Sequence, residues 1–486
     1  MIDLTVDAAT LDGVAAHTRE RQVRIPTLAQ MRDPALIPSD VRQGLTEIGL
    51  WDLHPLNLYR ITWHNQPVTR GGGFGGVNYV EWPSELTGTD ARIISLIGKW
   101  FPTGAHKVGA AFGCLVPRLV TGQFDPGSQK AVWPSTGNYC RGGAYDSNLL
   151  GCESIAILPE GMSRERFEWL QTVAGEIIKT PGSESNVKEI FDKCNELAAS
   201  GEDLVIFNQF DEFGNYLWHV SVTGPAVEEV LAEVMGARDR YRGFAVTTGS
   251  AGTIAAGDYL KQRFPGSVIA GGEAIQCPTM LLNGFGEHRI EGIGDKHIPW
   301  VHNVKNTDIA IGLDDEAAMS LTRLFNEAAG QEYLVSRGVD PDVIEGLPLL
   351  GISGAANLLS AIKLAKYYEM GDRDIVVTIA TDSMDMYRSR LHELSEDRGT
   401  FTTHDAVAAF HRHLLGASTE HVHELGYYDR KRIHNLKYYT WVEQQGKTYE
   451  EIQAQWYDDD YWTGIQALAD PIDRLIAEFN SLTGLG

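Results

Sequence analysis

Short apolar segments alternate with longer amphipathic stretches between residues 91 and 390 of the chain. The apolar segments are rich in β-branched residues and have the length of buried strands: SIAILPE, DLVIFNQF, FAVTTG, SVIAGGEA and DIVVTIATD. The stretches between them are long enough for helices, and one of them repeats apolar residues at three- and four-residue steps: Ala355, Leu358, Leu359, Ile362 and Ala365. This alternation predicts an α/β fold with parallel sheets and helices on both faces.

The pattern changes on either side of this region. Residues 1–90 show no sustained period and are interrupted by prolines, whereas residues 391–486 are poorer in glycine and richer in tyrosine and tryptophan. We therefore expect an irregular N-terminal extension over 1–90, a core over 91–390 with two α/β subdomains, the smaller at roughly 130–240, and a helical extension over 391–486. The aromatic side chains of the last part could pack within the chain or against a second subunit.

Charge and composition narrow the classes of function. The chain has 486 residues, with 41 Lys and Arg against 65 Asp and Glu, and a net charge of −24. Such an acidic surface repels phosphate backbones and anionic lipids, so we expect no nucleic-acid or membrane partner. No apolar run reaches the ~18 residues of a membrane helix, and the N-terminus has no secretory-signal pattern. Five widely spaced cysteines fit neither a disulfide framework nor a metal motif, which indicates a reducing cytoplasm.

Candidate chemistry lies in the turns that follow strands, because parallel sheets bind ligands at that edge. The first turn, PTGAHK, follows the apolar segment ARIISLIGKWF and places Lys107 at the start of a helix. The helix dipole disfavours a lysine there. Lys107 is therefore either a solvated surface residue or is kept for its amine, which can form an imine with a carbonyl group.

Two further turns are rich in small and hydroxyl residues. Residues 135–138, STGN, follow the strand KAVW and are either a carboxylate cradle or an ordinary helix cap. Residues 248–253, TGSAGT, follow FAVT, and their small side chains let backbone N–H groups converge on a phosphate, although a tight turn without a ligand has the same pattern. The chain has no GxxxxGK[ST] sequence, so this turn is not a nucleotide P-loop.

A fourth turn places the hydroxyl of Ser383 at the end of the strand IVVTIAT. Together the four turns supply an amine, a carboxylate cradle, a phosphate cradle and a neutral hydroxyl. These are the groups required for pyridoxal phosphate chemistry on an amino acid. The histidine pairs His411/His413 and His421/His423 have no third ligand at matching spacing, so we expect exposed histidines there and no metal.

Seven motifs, in family order, make residues 91–390 resemble the cysteine synthase and cystathionine β-synthase family of fold-type II pyridoxal phosphate enzymes, with tryptophan synthase β as a more distant relative. They are PTGAHK, STGN, NQFDEFGNYLWHVSVTGP, GSAGT, HRIEGIGDKHIP, GISGAA and TDSMDMY. The resemblance implies a fold-type II core, pyridoxal 5'-phosphate as cofactor and a small amino acid as substrate. We also expect a homodimer.

The resemblance implies roles for individual residues. Lys107 is the catalytic residue and carries the cofactor. The other expected cofactor-binding residues are Asn138 at the ring hydroxyl, Ser383 at the pyridine nitrogen, and Gly249, Ser250, Ala251, Gly252 and Thr253 at the phosphate. The residues expected to bind the substrate are Ser135, Thr136, Gly137, Tyr139 and Gln209. Tyr139 and Cys140 replace two small residues of the family loop, so we expect them to reshape the space for the β substituent.

The implied activity is β-replacement on an L-serine-type amino acid through an aminoacrylate intermediate, which makes the protein a lyase or transferase of amino-acid metabolism. β-Elimination to a keto acid and ammonia is an alternative outcome, left open by the bulkier substrate loop. A non-catalytic scaffold with a relic pocket is a hypothesis of another class. The intact Lys107, Asn138, phosphate loop and Ser383 argue against it.

Overall fold

The computed structural model describes residues 1–294 and 296–485 of the chain. Its strands form one sheet of seven and one of four, which confirms the predicted α/β class. The strands are β1 (Tyr79–Trp82), β2 (Arg92–Ile97), β3 (Lys130–Pro134), β4 (Ser154–Pro159), β5 (Glu176–Thr180), β6 (Leu204–Ile206), β7 (Arg240–Thr247), β8 (Val268–Ala274), β9 (Ile309–Leu313), β10 (Asp374–Ala380) and β11 (Val422–Glu424).

The two sheets differ in strand direction. The smaller sheet has the order β5-β4-β3-β6, and all its strands are parallel. The larger sheet has the order β1-β2-β10-β7-β8-β9-β11, with parallel strands at its centre. Its two edge strands, β1 and β11, pair antiparallel with their neighbours. Residues 1–90 and 391–486 thus each add one edge strand, although we expected the latter to be helical.

Helices surround both sheets. Those before and around the smaller sheet are α1 (Ala8–Glu20), α2 (Leu28–Arg32), α3 (Ser39–Gly44), α4 (Ser84–Thr87), α5 (Lys107–Val120), α6 (Asn138–Leu150), α7 (Arg164–Leu170), α8 (Val187–Ala199), α9 (Phe213–Trp218) and α10 (Gly224–Val234). Those that follow are α11 (Ala256–Arg263), α12 (Thr279–Leu282), α13 (Asp315–Asn326), α14 (Ala328–Ser336), α15 (Pro341–Gly346), α16 (Ile352–Tyr367), α17 (Arg388–Arg398), α18 (Thr403–Ala409), α19 (Tyr427–Asn435), α20 (Tyr449–Tyr457), α21 (Tyr461–Gln466) and α22 (Ala469–Thr483).

The helix α16 lies deeper than its sequence pattern indicates. Its apolar periodicity predicts one buried face, but every residue from Ile352 to Ala365 is buried. The reason is its position between two layers, because α16 contacts β7 and β10 as well as α13. Helices that are covered on both sides need small residues, which the sequence ISGAANLLSAIKLAKY supplies.

The terminal segments hold the helix that begins with Lys107. Helix α22 contacts both α1 and α5. Asp473 of α22 accepts hydrogen bonds from the backbone N–H groups of Leu28 and Ala29, at 2.6 and 3.0 Å. The side chain of Asn480 bonds both backbone groups of Ile25. These contacts join the two ends of the chain and fix the outer face of α5.

Several predicted surface features can be located. The five cysteines are buried and none of them forms a disulfide. Of the aromatic residues after 391, Trp441 is fully buried, whereas Tyr428 is 85% exposed. In the part of the chain that the structure describes, no single helix is long and apolar enough to cross a membrane. In that part, one pair of successive helical segments, Pro341–Leu349 and Ile352–Tyr367, is long and apolar enough when taken together, but the two segments meet at a bend of 119°.

Candidate active site

A cleft lies where three neighbouring strands of the larger sheet end. Because β2, β10 and β7 are parallel neighbours, their carboxyl ends share one edge of the sheet. The turn after β2 leads to Lys107, the turn after β7 contains Gly249 to Thr253, and the turn after β10 begins at Thr381. All three turns line the cleft, together with Ser353 and Asn357 of α16. The structure therefore brings Lys107 and the predicted phosphate loop together.

The turn after β7 presents backbone donors to the cleft. Among the described residues, we find no hydrogen bond made by the backbone N–H groups of Gly249, Ser250, Ala251 or Gly252. Ala251 has a left-handed backbone, with φ of 60°, which lets successive N–H groups turn to one side. A 3₁₀ turn and helix α11 follow directly. Free donors at the start of a helix fit an anionic phosphate.

A neutral His106 contacts the end of this loop. Its Nε2 lies 3.2 Å from Thr253 Oγ1. Burial and the neighbouring charge of Lys107 lower the pKa of His106 to about 3. Trp63, from the N-terminal segment, stacks on the imidazole with 5.3 Å between ring centroids. The residues before position 90 thus contribute a side chain to the support of the cleft.

Asn215 joins the phosphate loop to a predicted substrate residue. Its Nδ2 donates to Ser250 Oγ at 3.1 Å and to the backbone oxygen of Gln209 at 2.9 Å. A Cβ atom on Gly252 would lie 1.9 Å from Asn215 Oδ1, so glycine is required there. The Gln209 side chain is buried, and its Oε1 has no hydrogen-bond partner among the described residues. A buried orphan of this kind fits a bound ligand.

The substrate loop follows β3 of the smaller sheet. Ser135 Oγ accepts a hydrogen bond from Gly137 N at 3.0 Å. The guanidinium group of Arg166 donates to Thr136 O at 3.0 Å. A Cβ on Gly137 would lie 2.7 Å from that guanidinium group, and the glycine has φ of 156°. Only glycine allows the loop to pass so close to the buried arginine.

Buried charges connect this loop to the larger sheet. Asp382, which follows β10, accepts hydrogen bonds from Asn138 Nδ2 and Tyr387 OH, both at 2.7 Å. Arg166 donates to the same Tyr387 hydroxyl at 2.7 Å and pairs with Glu291 at 2.7 Å. Burial raises the pKa of Asp382. The network fixes the position of the substrate loop relative to the turn after β10.

Asn138 and Ser383 both have protein partners. The amide of Asn138 bonds Asp382, and its Oδ1 accepts from Arg141 at 3.2 Å. Ser383 is buried, and its hydroxyl donates to Asp385 Oδ2 at 3.4 Å. Ser383 follows two residues after Thr381, which lines the cleft. Their roles at the cofactor ring remain predictions.

The structure does not bring Tyr139 to the cleft. Its ring is fully buried in the main hydrophobic core and meets the Trp133 ring edge-on, with 5.5 Å between centroids. The reason is the start of helix α6, which turns this position toward the sheet. Cys140 is also buried and donates through Sγ to Gly137 O. Neither side chain lines the cleft, so this placement does not support the expectation that the two residues reshape the space for a β substituent, which stays a prediction.

Sequence reasoning missed the residues that hold the site. Arg166, Asp382 and Asn215 act through contacts with residues distant in the chain. Asp382 and Asn215 lie inside recognised motifs that could have singled them out, whereas none of the seven motifs contains Arg166. The motif HRIEGIGDKHIP includes Asp295, which lies outside the described residues. Within the described part, no group of three or more His, Cys, Asp or Glu is placed to hold a metal ion. His411 instead bonds the Tyr333 hydroxyl at 2.9 Å.

Comparisons with known proteins agree with this geometry. Residues 100–339 match the family model described as pyridoxal-phosphate dependent enzyme. A probable cysteine synthase of Bacillus subtilis is 28% identical over 292 residues, covering 59% of this chain and 85% of the relative. The cystathionine beta-synthase of Saccharomyces cerevisiae is 25% identical over 344 residues, covering 68% of this chain and 64% of the relative.

Solved structures share the fold. A hydrogen sulfide-producing enzyme from Fusobacterium nucleatum superposes with a TM-score of 0.55 at 22% identity, covering 64% of this chain and 97% of that one. An O-acetylserine dependent cystathionine beta-synthase from Helicobacter pylori gives 0.53 at 24% identity, covering 65% and 95%. Residues 100–339 therefore match the pyridoxal-phosphate dependent enzyme family, the fold is the fold-type II architecture, and the cofactor is pyridoxal phosphate.

Proposed function

We propose that the protein catalyses β-replacement on an L-serine-type amino acid. The observation that carries this proposal is the cleft that Lys107 lines together with a loop of free backbone donors, which Asn215 joins to Gln209. The similarity to cysteine synthase and cystathionine beta-synthase sequences supports the same reaction class.

Lys107 would hold the cofactor covalently, and residues 249–253 would bind its phosphate through their backbone N–H groups. When bound, pyridoxal phosphate supplies an electron sink that permits loss of the α proton and then of the β substituent. The Lys107 Nζ atom, released when the substrate amine replaces it, would take the α proton. Its position at the start of α5, which is fixed by buried contacts, keeps that amine in the cleft.

The substrate's α-carboxylate would be bound by Ser135, Thr136, Gly137 and Gln209. Gln209 is suited to this because its side chain is buried and its amide Nε2 can donate a hydrogen bond to a carboxylate. Arg166 would act through Thr136 and Gly137 by fixing the loop rather than by touching the substrate. Ser383 would face the pyridine nitrogen. Its hydroxyl is neutral, so it would not stabilise a protonated nitrogen as a carboxylate could.

Product analysis tests this proposal. The holoenzyme is incubated with O-acetyl-L-serine, with and without sulfide, and cysteine, acetate, pyruvate and ammonia are quantified. Replacement predicts acetate release that yields cysteine when sulfide is present. Pyruvate and ammonia in equal amounts with or without sulfide would instead establish β-elimination. Release of no product from a panel of O- and S-substituted serines would support the scaffold hypothesis.

We also propose the assembly, location and domain limits. A homodimer is proposed because exposed tyrosines such as Tyr428 and Tyr439 remain on the surface of the single chain. The cytoplasm is proposed because the five cysteines are buried and form no disulfide. The catalytic core is proposed at 91–390, since it contains the cleft and nine of the eleven strands, all but β1 and β11. The smaller subdomain is proposed at roughly 130–240, which contains the four-stranded sheet.

A further inference from the structure

A second cavity, of about 210 Å³, adjoins the cleft on the side of the smaller sheet. Glu184, which follows β5, lines this cavity. Its Oε1 accepts a hydrogen bond from Gly292 N at 2.8 Å, and Gly292 also lines the cleft with Lys107. Burial raises the pKa of this carboxyl group to about 7, although the charge of Arg166 and a hydrogen bond from the Thr136 side chain act to lower it. Glu184 thus stands between the proposed carboxylate site and the proposed cofactor site.

Glu184 has an unused hydrogen-bond acceptor in this cavity. The residue is 2% exposed, and its Oε2 has no partner among the residues that the structure describes. His288 supplies a matching donor on the cavity wall. Its Nδ1 accepts from Ile290 N at 3.3 Å, which leaves the imidazole hydrogen on Nε2. That Nε2 is likewise buried without a partner in the described chain.

The cations around the cavity are already paired. Arg289 pairs with Asp315 and Glu316, Arg390 with Glu291 and Glu393, and Arg398 with Glu316. The acceptor left over is therefore a buried carboxyl oxygen, and in the described part of the chain each arginine that lines the cavity is paired with another carboxylate. The charge of Arg166 also acts on Glu184, but burial outweighs it and the pKa of Glu184 stays raised. A buried carboxylate is costly unless a cation or a donor reaches it. The cavity therefore favours a ligand with a positively charged N–H group.

We propose that this cavity binds the second, nucleophilic substrate and that Glu184 Oε2 selects a nucleophile carrying a protonated amine beyond its reacting atom. This inference rests on the proposed β-replacement, since only that reaction has a nucleophilic second substrate. Glu184 is a specificity-determining residue in this account, and the nucleophile's ammonium group donates to its free oxygen. Sulfide, which has no such group, gains nothing from it.

A competition between two thiols tests the proposal. The holoenzyme with O-acetyl-L-serine receives equal amounts of 2-aminoethanethiol and 2-sulfanylethanol, which differ in an ammonium and a hydroxyl group. The ratio of the two S-substituted cysteines is independent of how much enzyme is folded. We expect Glu184→Gln to lower the amine-to-hydroxyl ratio by about tenfold or more, since hydrogen bonds to charged groups contribute about 1.5–3 kcal/mol.

The matched control is Glu196→Gln, an exposed glutamate on α8, which should leave the ratio at the wild-type value. An unchanged ratio in Glu184→Gln would overturn the proposal. A second measurement does not depend on turnover: a ligand-observed NMR titration of the holoenzyme with ethylguanidinium, which forms no imine. Binding at least tenfold weaker in Glu184→Gln than in Glu196→Gln is expected, and equal binding in both variants overturns the inference. If neither thiol gives product, the β-replacement fails, and this titration alone decides the cavity.

Discussion

The two walls of the cleft are built on opposite electrostatic principles. The wall formed by the larger sheet meets its ligand with neutral groups: the N–H groups of residues 249–252, the amide of Asn215 and a histidine with its pKa lowered to about 3. The wall formed by the smaller sheet is held by buried charges, with Arg166 between Glu291 and the turn that contains Asp382. An anionic phosphate can be bound by fixed dipoles, whereas a loop that joins two sheets needs strong and directional contacts.

This difference predicts where mutations act. Changes on the first wall should release the cofactor and leave the fold intact. Changes in the charge network of the second wall should reduce the stability of the junction between the sheets, because a buried charge left without its partner is costly.

Arg166→Met is expected to have the largest effect. It leaves Glu291 with one ion-pair partner among the described residues, Arg390, and removes the donor to Thr136 and Tyr387. Breaking a buried ion pair costs about 3–5 kcal/mol, so the free energy of unfolding should fall by that amount in urea titrations. Arg164→Met, an exposed neighbour on the same helix, should change it by less than about 0.5 kcal/mol. An equal free energy of unfolding in the two variants would show that the charge network does not stabilise the junction between the sheets.

Gly252→Ala should act on the cofactor instead. Its new methyl group would lie 1.9 Å from Asn215 Oδ1, so the phosphate loop must shift. Overpacking costs about 1–3 kcal/mol, which corresponds to an affinity loss of about ten- to a hundredfold. Equilibrium dialysis of pyridoxal phosphate measures it. Gly266→Ala, where a Cβ meets nothing within 4 Å, is the control. Wild-type affinity in Gly252→Ala would make the turn a purely structural one.

Gln209→Ala should weaken substrate binding while sparing the cofactor. A charge-assisted hydrogen bond contributes about 1.5–3 kcal/mol, so the affinity for L-serine derivatives should fall by about ten- to a hundredfold. Titrations that follow the visible absorbance of the holoenzyme measure this, with the decarboxylated amines as the comparison. The wild type should respond to the amino acids far more strongly than to the amines. An identical response to both would contradict a carboxylate cradle.

The smallest expected effect is a change in pH dependence. His106 has a pKa of about 3 in the folded chain, against 6.5 as its ordinary value. Between these values the unfolded chain binds one more proton, so stability is fully present above pH 6.5 and falls as the pH drops toward 3. His106→Gln should reduce the slope by up to about 1.4 kcal/mol per pH unit, measured by urea unfolding at pH 7 and pH 5. An unaltered slope would mean that folding does not lower the pKa of His106.

The pattern of apolar segments predicted the central strands of the two sheets better than it predicted the edge strands. The five apolar runs fall on β4, β6, β7, β8 and β10. Four of these strands lie inside their sheets, where strands buried on both faces are continuously apolar, whereas β6 is a half-buried edge strand. The edge strand β5, with the sequence EIIKT, escapes this pattern because two of its five residues are charged and its surface is half-buried. The edge strand β11 escapes it because it has only three residues, two of them exposed.

The site was predictable where one turn carries the chemistry and not where distant segments meet. Lys107 and the loop 249–253 each follow a recognisable strand, so local pattern and family resemblance both indicated them. The bond between Asn138 and Asp382 joins residues 244 positions apart, which no local pattern contains. Tyr139 shows the converse, since its place beside the substrate loop in the sequence says nothing about the direction of its ring.

The most direct test of the account is the location of the cofactor. The holoenzyme is reduced with borohydride, digested and analysed by mass spectrometry for the lysine that carries the pyridoxyl group. The account predicts the group on Lys107 alone, and predicts that Lys107→Ala lacks both the modified peptide and the visible absorbance of the bound cofactor. A pyridoxyl group on another lysine, or unchanged absorbance in Lys107→Ala, would contradict it.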